Sequence, residues 1–275
     1  MQTEVIVIGG GPAGMACAIW LKKLGVAAVV LEAAAETGGL QTVNPYENLW
    51  MPGVQGKTGQ DLAHDLARHA EDLGVEVRLN CPALRLHEGF RVETPEGEMV
   101  ASHLVIATGT RPRAGGFTPS ATVAIGPGTP MEAMAVEGRK VAILGGGDNA
   151  FDQARFVTER GGQATIFSRH EPKAQGVVRA MTDVPVVVGP YAADQQAMTV
   201  NGQVFDLFGV MFGFEAVVPP GLDLKFEDGY VAVDRRGETS VAKVFACGEV
   251  TDYWHACAAT AIAHGVQVAW QIARG

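Results

Sequence analysis

Two stretches of the chain share one hydrophobic pattern. EVIVI (4–8) is a short apolar run that breaks into Gly9, Gly11 and Gly14. KVAIL (140–144) runs in the same way into Gly145, Gly147 and Ala150. Such continuous apolar runs predict strands buried on both faces, the kind found in parallel sheets. After the first glycines the apolar positions switch to helical spacing at Met15, Ala18, Ile19, Leu21 and Leu24, and Gly25 stops the pattern. A second buried run, AAVVL (27–31), ends in Glu32. After the second glycines a helical pattern, AFDQARFVTERG (150–161), leads to the strand pattern ATIFS (164–168). LVIATGTRP (104–112) reads as another buried strand, and VFACGEV (244–250) as a strand entering a turn. A long small-residue helix pattern, ACAATAIAHGVQVAWQIA (256–273), follows.

The first unit is a GxGxxG turn between strand and helix with an acid at the end of the next strand. From Gly9 to Glu32 is 32 − 9 = 23 positions, close to the ~20 expected of a ribose-binding acid in a dinucleotide fold. Gly9 makes the tight turn, Gly11 lets the backbone approach a pyrophosphate, and Gly14 lets the helix lie on the strand. In the second unit, 168 − 145 = 23 positions lead from Gly145 to Ser168. The acid is gone, and Ser168, Arg169 and His170 stand there. An acid favours a free 2′-hydroxyl, whereas an arginine beside a hydroxyl favours a 2′-phosphate. The second site is therefore expected to take NADP in preference to NAD, on Gly145, Gly147, Asp148, Asn149, Ala150, Ser168, Arg169 and His170. Two sites with different ribose chemistry imply two dinucleotides and hydride transfer between them. The fold class expected is α/β, with two Rossmann-like three-layer dinucleotide-binding domains, the second inserted into the first. The boundaries read as 1–112 with 226–275 for the first domain and 113–225 for the second.

Composition narrows the function classes. The 275 residues are 47% hydrophobic and 19% charged, which suits a buried core. A net charge of −9 with no basic stripe argues against nucleic acid. Residues 5–21 carry no charge, but glycines and a proline interrupt them and no basic segment precedes them, so they are not read as a membrane span or leader. Cys17, Cys81, Cys247 and Cys257 show neither CxxC nor zinc spacing, so no metal is expected and a reducing cytoplasm is the natural setting.

These motifs, with TGGLQTVNPYENLWMPGVQGKTGQDL (37–62) and ATGTRP (107–112), resemble the low-molecular-weight thioredoxin reductases. That group belongs to the two-dinucleotide-fold flavoprotein disulfide reductases, and the resemblance spans nearly the whole chain. It implies that FAD is held by Gly9, Gly11, Pro12, Ala13, Gly14, Glu32, Gly39, Leu40, Gln41, Asn48, Ala107, Thr108 and Gly109. Gly248-Glu249 replaces the family's Gly-Asp pair, and amides around Ala256, Cys257 and Ala258 are implied at the flavin. NADPH is implied at the second site and a homodimer as the assembly. The family's CxxC is missing, because its place reads GPGTPMEAM (126–134). The chain is thus similar to thioredoxin reductase-type ferredoxin–NADP reductases. The expected activity passes electrons from NADPH through FAD to a separate acceptor, such as a ferredoxin- or flavodoxin-type carrier. A flavoenzyme acting on a small molecule and a non-catalytic FAD redox sensor are the alternatives. Catalysis is expected to be flavin-borne, with His255 and Cys257 as candidate participants. Trp50-Met51-Pro52 is expected to shield the flavin, and Arg111 and Arg113 to be loop charges or part of a docking surface.

Overall fold

The computed structural model describes residues 3–48 and 51–275. The chain forms two compact units, residues 1–111 with 215–275, and residues 112–214. It crosses between them through two short paired strands, Thr110–Pro112 and Phe214–Ala216.

The first unit is built on a five-stranded parallel sheet. Its order in space is Val244–Ala246, His103–Ile106, Val5–Ile8, Ala28–Leu31 and Glu76–Arg78. The EVIVI run forms the central strand, and all four of its strand residues are buried, as the unbroken apolar run requires. Side chains alternate across the sheet. Val5 and Val7 face a core shared with the helices Pro12–Lys23 and Ala258–Arg274. Ile6 and Ile8 face a second core, closed by Leu86, Val92 and Met99 of a three-stranded antiparallel sheet (85–87, 91–94, 97–100). The result is three layers, helices over parallel sheet over antiparallel sheet.

Local chemistry sets the helix ends. Pro12 stands at the first helical position, where its missing N–H costs nothing, and Gly25 at φ +78° ends the turn after the helix. The helix Gly59–Asp72 begins with a reciprocal cap: Asp61 N–H donates to Thr58 Oγ1 at 3.1 Å, and Thr58 N–H donates to Asp61 Oδ2 at 2.8 Å.

The second unit repeats the plan. Its parallel sheet runs Val186–Val188, Gln163–Ser168, Lys140–Leu144, Leu207–Val210, Val123–Ile125. The helix Asp148–Glu159 follows the central strand. Val200, from the small antiparallel sheet 193–204, and Phe205, just after it, pack on Ala142, Leu144, Phe208 and Val210.

Two expectations are corrected. The return to the first unit falls at Glu215, not 226, because Ala216, Val218, Leu222 and Leu224 pack into the core beneath the antiparallel sheet. The stretch 104–112 is two strands, not one. Gly109 at φ +64° turns the chain between Ile106 and Thr110.

The first and last helices touch backbone to backbone. A Cβ on Gly265 would lie 2.1 Å from the carbonyl oxygen of Ala13 and 3.1 Å from Cys17 N. Overpacking costs roughly 1–3 kcal/mol, and a rigid backbone neighbour places this site at the upper end. The helix-propensity gain of alanine, about 1 kcal/mol, offsets part of it. Gly265→Ala is expected to lose about 2 kcal/mol of stability in urea unfolding, net of these terms. Unchanged or raised stability would show that the two helices part freely.

Candidate functional site

The glycine turn after the central strand does three separate things. Gly9 sits at φ +104°, and a Cβ there would lie 2.5 Å from Ala107 O, so only glycine fits. A Cβ on Gly14 would lie 2.0 Å from Gly9 O, so the helix rests directly on the turn. Gly11 differs. It is extended, at φ −72°, and a Cβ there would meet nothing nearer than Gly39 Cα at 3.9 Å. Its bare face is turned toward open space, not toward protein.

That space is a cavity of about 450 Å³ at the C-terminal ends of the first unit's strands, where open α/β sheets bind ligands. Gly9, Gly11, Pro12, Ala13, Glu32, Gly39, Leu40, Gln41, Ala107, Thr108, Gly109, Gly248, Glu249 and Ala258 all line it. The half-buried Glu32 carboxylate is fixed by two backbone donors, Gly10 N–H at 2.6 Å and Ala34 N–H at 2.8 Å. Two helix N-termini, at Pro12 and Ala258, meet the same cavity and favour a negative ligand there. Gln41 Oε1 is buried with no hydrogen-bond partner.

Not every expected residue reaches the cavity. Gly14 is buried in the helix contact and acts by its smallness. Asn48 is half-buried, its Nδ2 unpartnered, and lies off the cavity wall. The C-terminal helix starts at Ala258, so the amide of Ala256 is not a helix amide. Ala256 instead lines a water-sized hollow with Glu249, Trp254, His255 and His264. Cys257 is the helix cap, with its N–H and Sγ both 3.3 Å from Thr260 Oγ1. His255 is exposed at the hollow's edge, and its carbonyl accepts from the Thr260 hydroxyl at 2.5 Å. Arg111 pairs with Glu215 at 2.7 Å, and Arg113 is exposed. Trp50 lies outside the described residues, while Met51 is half-buried and Pro52 exposed.

The sequence reading missed Pro82, Ala83, Val217, Val218 and Pro219, which complete the wall. Val217 is tied in by its N–H to Gly109 O at 3.0 Å and by its carbonyl, which accepts from Thr108 Oγ1. It also missed His264, which is 2% exposed in the last helix. Its Nδ1 accepts from Gly248 N–H at 3.3 Å, and Trp254 stacks on its ring. Burial lowers His264 to about 4. Burial also raises Glu249, with the Thr110 hydroxyl at 3.4 Å working the other way.

The second unit repeats the turn. Gly145 at φ +146° faces Met211 O, Gly146 faces the Ser168 hydroxyl, and Gly147 faces open space. Ala150, where the first turn has Gly14, is fully buried. The charged groups are arranged differently from the first unit. Ser168 is buried, and its hydroxyl donates to His170 O at 2.6 Å. Asp148 accepts from Gln175 N–H at 2.7 Å and Nε2 at 2.9 Å. Asn149 is half-buried in the same first turn, and Arg169 and His170 are exposed.

A family model described as pyridine nucleotide-disulphide oxidoreductase matches residues 3–265. The chain belongs to this family. It is an FAD-dependent NAD(P)H oxidoreductase. It is 27% identical over 290 residues to a ferredoxin–NADP reductase of Limosilactobacillus fermentum, covering 91% of this chain and 86% of that one. It is 24% identical to a thioredoxin reductase of Bacillus subtilis, covering 90% and 87%. The fold matches the crystal structure of T. acidophilum thioredoxin reductase with a TM-score of 0.84 at 20% identity, over 99% and 98% of the chains. No helix among the described residues of the oxidoreductase is long and apolar enough to cross a membrane.

The residues of the first cavity fit a dinucleotide: a bare Gly11, a backbone-held Glu32 and two converging helix N-termini. A side chain at Gly11 fills the space above the turn without striking protein. Gly11→Val is therefore expected to fold and purify without bound flavin. Yellow protein from this variant would remove Gly11 from the site.

His264 gives a pH signature. Its folded form stays neutral down to about 4, whereas the unfolded chain takes up the proton near 6.5. Its stabilising contribution is complete above 6.5 and is lost as the pH falls toward 4. From pH 7 to pH 5 this amounts to roughly 2 kcal/mol. His264→Gln should remove that slope from urea unfolding free energies; an unchanged slope would assign it to other groups.

Proposed function

We propose that this oxidoreductase takes a hydride from NADPH, in preference to NADH, and passes the electrons to a separate redox-protein acceptor of the ferredoxin or flavodoxin type. The state of its cysteines carries this reading. All four are free thiols, and the nearest pair in sequence, Cys247 and Cys257, is 257 − 247 = 10 positions apart. Cys247 is fully buried, and burial pushes its thiol up to about 12. Burial raises Cys17 well above its ordinary value, with Cys247 adding to the effect. Thiol–disulfide exchange needs a thiolate and a partner thiol within bridging distance. The segment in the place of the family's CxxC contains a one-turn helix, Thr129–Glu132, with Met131 fully buried. The reductases named for ferredoxin among the relatives support a protein acceptor.

Bound FAD supplies the redox chemistry, accepting two electrons as hydride and releasing them singly or in pairs. The chain's own residues place it. Gly9 and Gly14 shape the turn by their smallness, the bare face of Gly11 leaves room for the pyrophosphate at the helix N-terminus, and Glu32 accepts from the adenosine ribose. Gly248, held by His264, lines the far wall with Glu249 and Ala258. In the second unit Gly145 and Gly147 present the nicotinamide dinucleotide to the helix at Asp148, and Arg169 offers its charge to the 2′-phosphate.

Anaerobic mixing of the yellow protein with each nicotinamide separately tests the reading. Loss of flavin absorbance is expected to be fast with NADPH and slower with NADH. Equal rates would end the coenzyme preference, and no bleaching by either would remove nicotinamide from the reaction.

A further inference from the structure

The loop ends around Arg169 form an aromatic clip. Along the strand Gln163–Ser168 side chains alternate, so Arg169 emerges on the face of Phe167, opposite Ser168. Its guanidinium carbon lies 5.3 Å from the centre of the Tyr191 ring and 5.9 Å from that of Phe212. Both distances lie within cation–π range. The rings are anchored from below. Tyr191 rests 5.8 Å from Phe167, which meets Phe205 edge-on at 5.6 Å. Phe212 lies 6.0 Å from Phe117, and a Cβ on Gly115 would strike its ring at 2.4 Å.

The acids at this end of the sheet have other partners: Glu171 pairs with Arg179, and Asp148 holds Gln175. Among the described residues Arg169 has no carboxylate partner. Its charge meets the ring faces of Tyr191 and Phe212 and remains available to an incoming anion. The Ser168 hydroxyl is bonded to His170 O and turned inward, whereas the guanidinium of Arg169 is exposed. An arginine on a surface strand end is flexible, and holding it in one place raises its value for bidentate phosphate recognition.

We propose that Tyr191 and Phe212 are positioning residues that hold the Arg169 guanidinium where it recognises the 2′-phosphate of NADPH. This inference rests on the assignment of Arg169 to that phosphate. Neither ring is required to touch the coenzyme. Their effect appears as selectivity, in the ratio of kcat/KM for NADPH to that for NADH.

The experiment measures steady-state reduction of ferricyanide against coenzyme concentration, with NADPH and with NADH, in the FAD-loaded full chain. Arg169→Ala should lower the NADPH/NADH ratio at least about tenfold. Tyr191→Leu and Phe212→Leu should each lower it about threefold through KM for NADPH, with NADH kinetics unchanged. Tyr191→Phe, which keeps the ring, should restore the ratio. If Arg169→Ala leaves the ratio unchanged, the assignment of the phosphate site fails and the clip fails with it. If Arg169→Ala lowers the ratio while both leucine variants do not, the clip alone is overturned. Equal losses with both coenzymes would also overturn it, because they would mark the rings as packing only. Phe212→Leu keeps the question answerable should Tyr191→Leu fail to fold.

Discussion

The first unit depends on backbone contacts that no side chain permits. Gly14 sits so close to Gly9 O that the first helix begins against the end of the central strand. Gly265 repeats the contact one layer further out, against Ala13 O, and seats the last helix on the first. Together they bring two helix N-termini, at Pro12 and Ala258, to one cavity. Each terminus carries unsatisfied N–H groups and partial positive charge. A site for a phosphate-bearing ligand therefore comes from close packing, before any charged side chain contributes. The charged residues lining the cavity are Glu32 and Glu249, and Glu32 is tied to the Gly10 amide just ahead of the first helix.

The second unit shows what is left when the same frame carries different side chains. Three consecutive glycines do the same three jobs in both units: a left-handed turn against a neighbouring carbonyl, a close approach to the next strand end, and a bare face. The next strand end then diverges. Glu32 is a charge held by two amides, whereas Ser168 is turned inward and the charge moves one residue on, to Arg169 on the opposite face. A carboxylate near the ribose repels a 2′-phosphate, and a guanidinium attracts one. In the proposed assignment the frame sets where a dinucleotide lies, and this one position biases which dinucleotide it is.

How much of this was legible in the sequence follows from the range of each interaction. The buried strands, the glycine turns and Glu32 depend on neighbours within a few residues or one strand–helix–strand unit, so their pattern is written locally. Pro82, Ala83 and Val217–Pro219 reach the cavity only through tertiary placement, and no local pattern marks them. The return point was set eleven residues late (226 − 215 = 11) because Glu215–Lys225 has neither strand nor helix periodicity. Only packing against Leu86 and Val92 assigns it. The helix start was blurred because Cys257, an unusual cap, takes the role that serine or aspartate signals more plainly. His264 was hidden among small residues. Only the structure shows Gly248 N–H as its partner.

Burial also decides what the thiols do. Cys17 and Cys247 are the small, soft fillers that let the first helix and the strand end at Ala246 pack tightly, and the same burial holds them protonated. Cys257 is more exposed, yet its sulfur is tied into the cap with Thr260. None of the four thiols shows CxxC spacing, and the interacting pair Cys17 and Cys247 is held protonated by burial. The proposed function accordingly sends the electrons to an external acceptor. Beside the first unit's cavity, Glu249 also lines the small hollow where Trp254 stacks on His264.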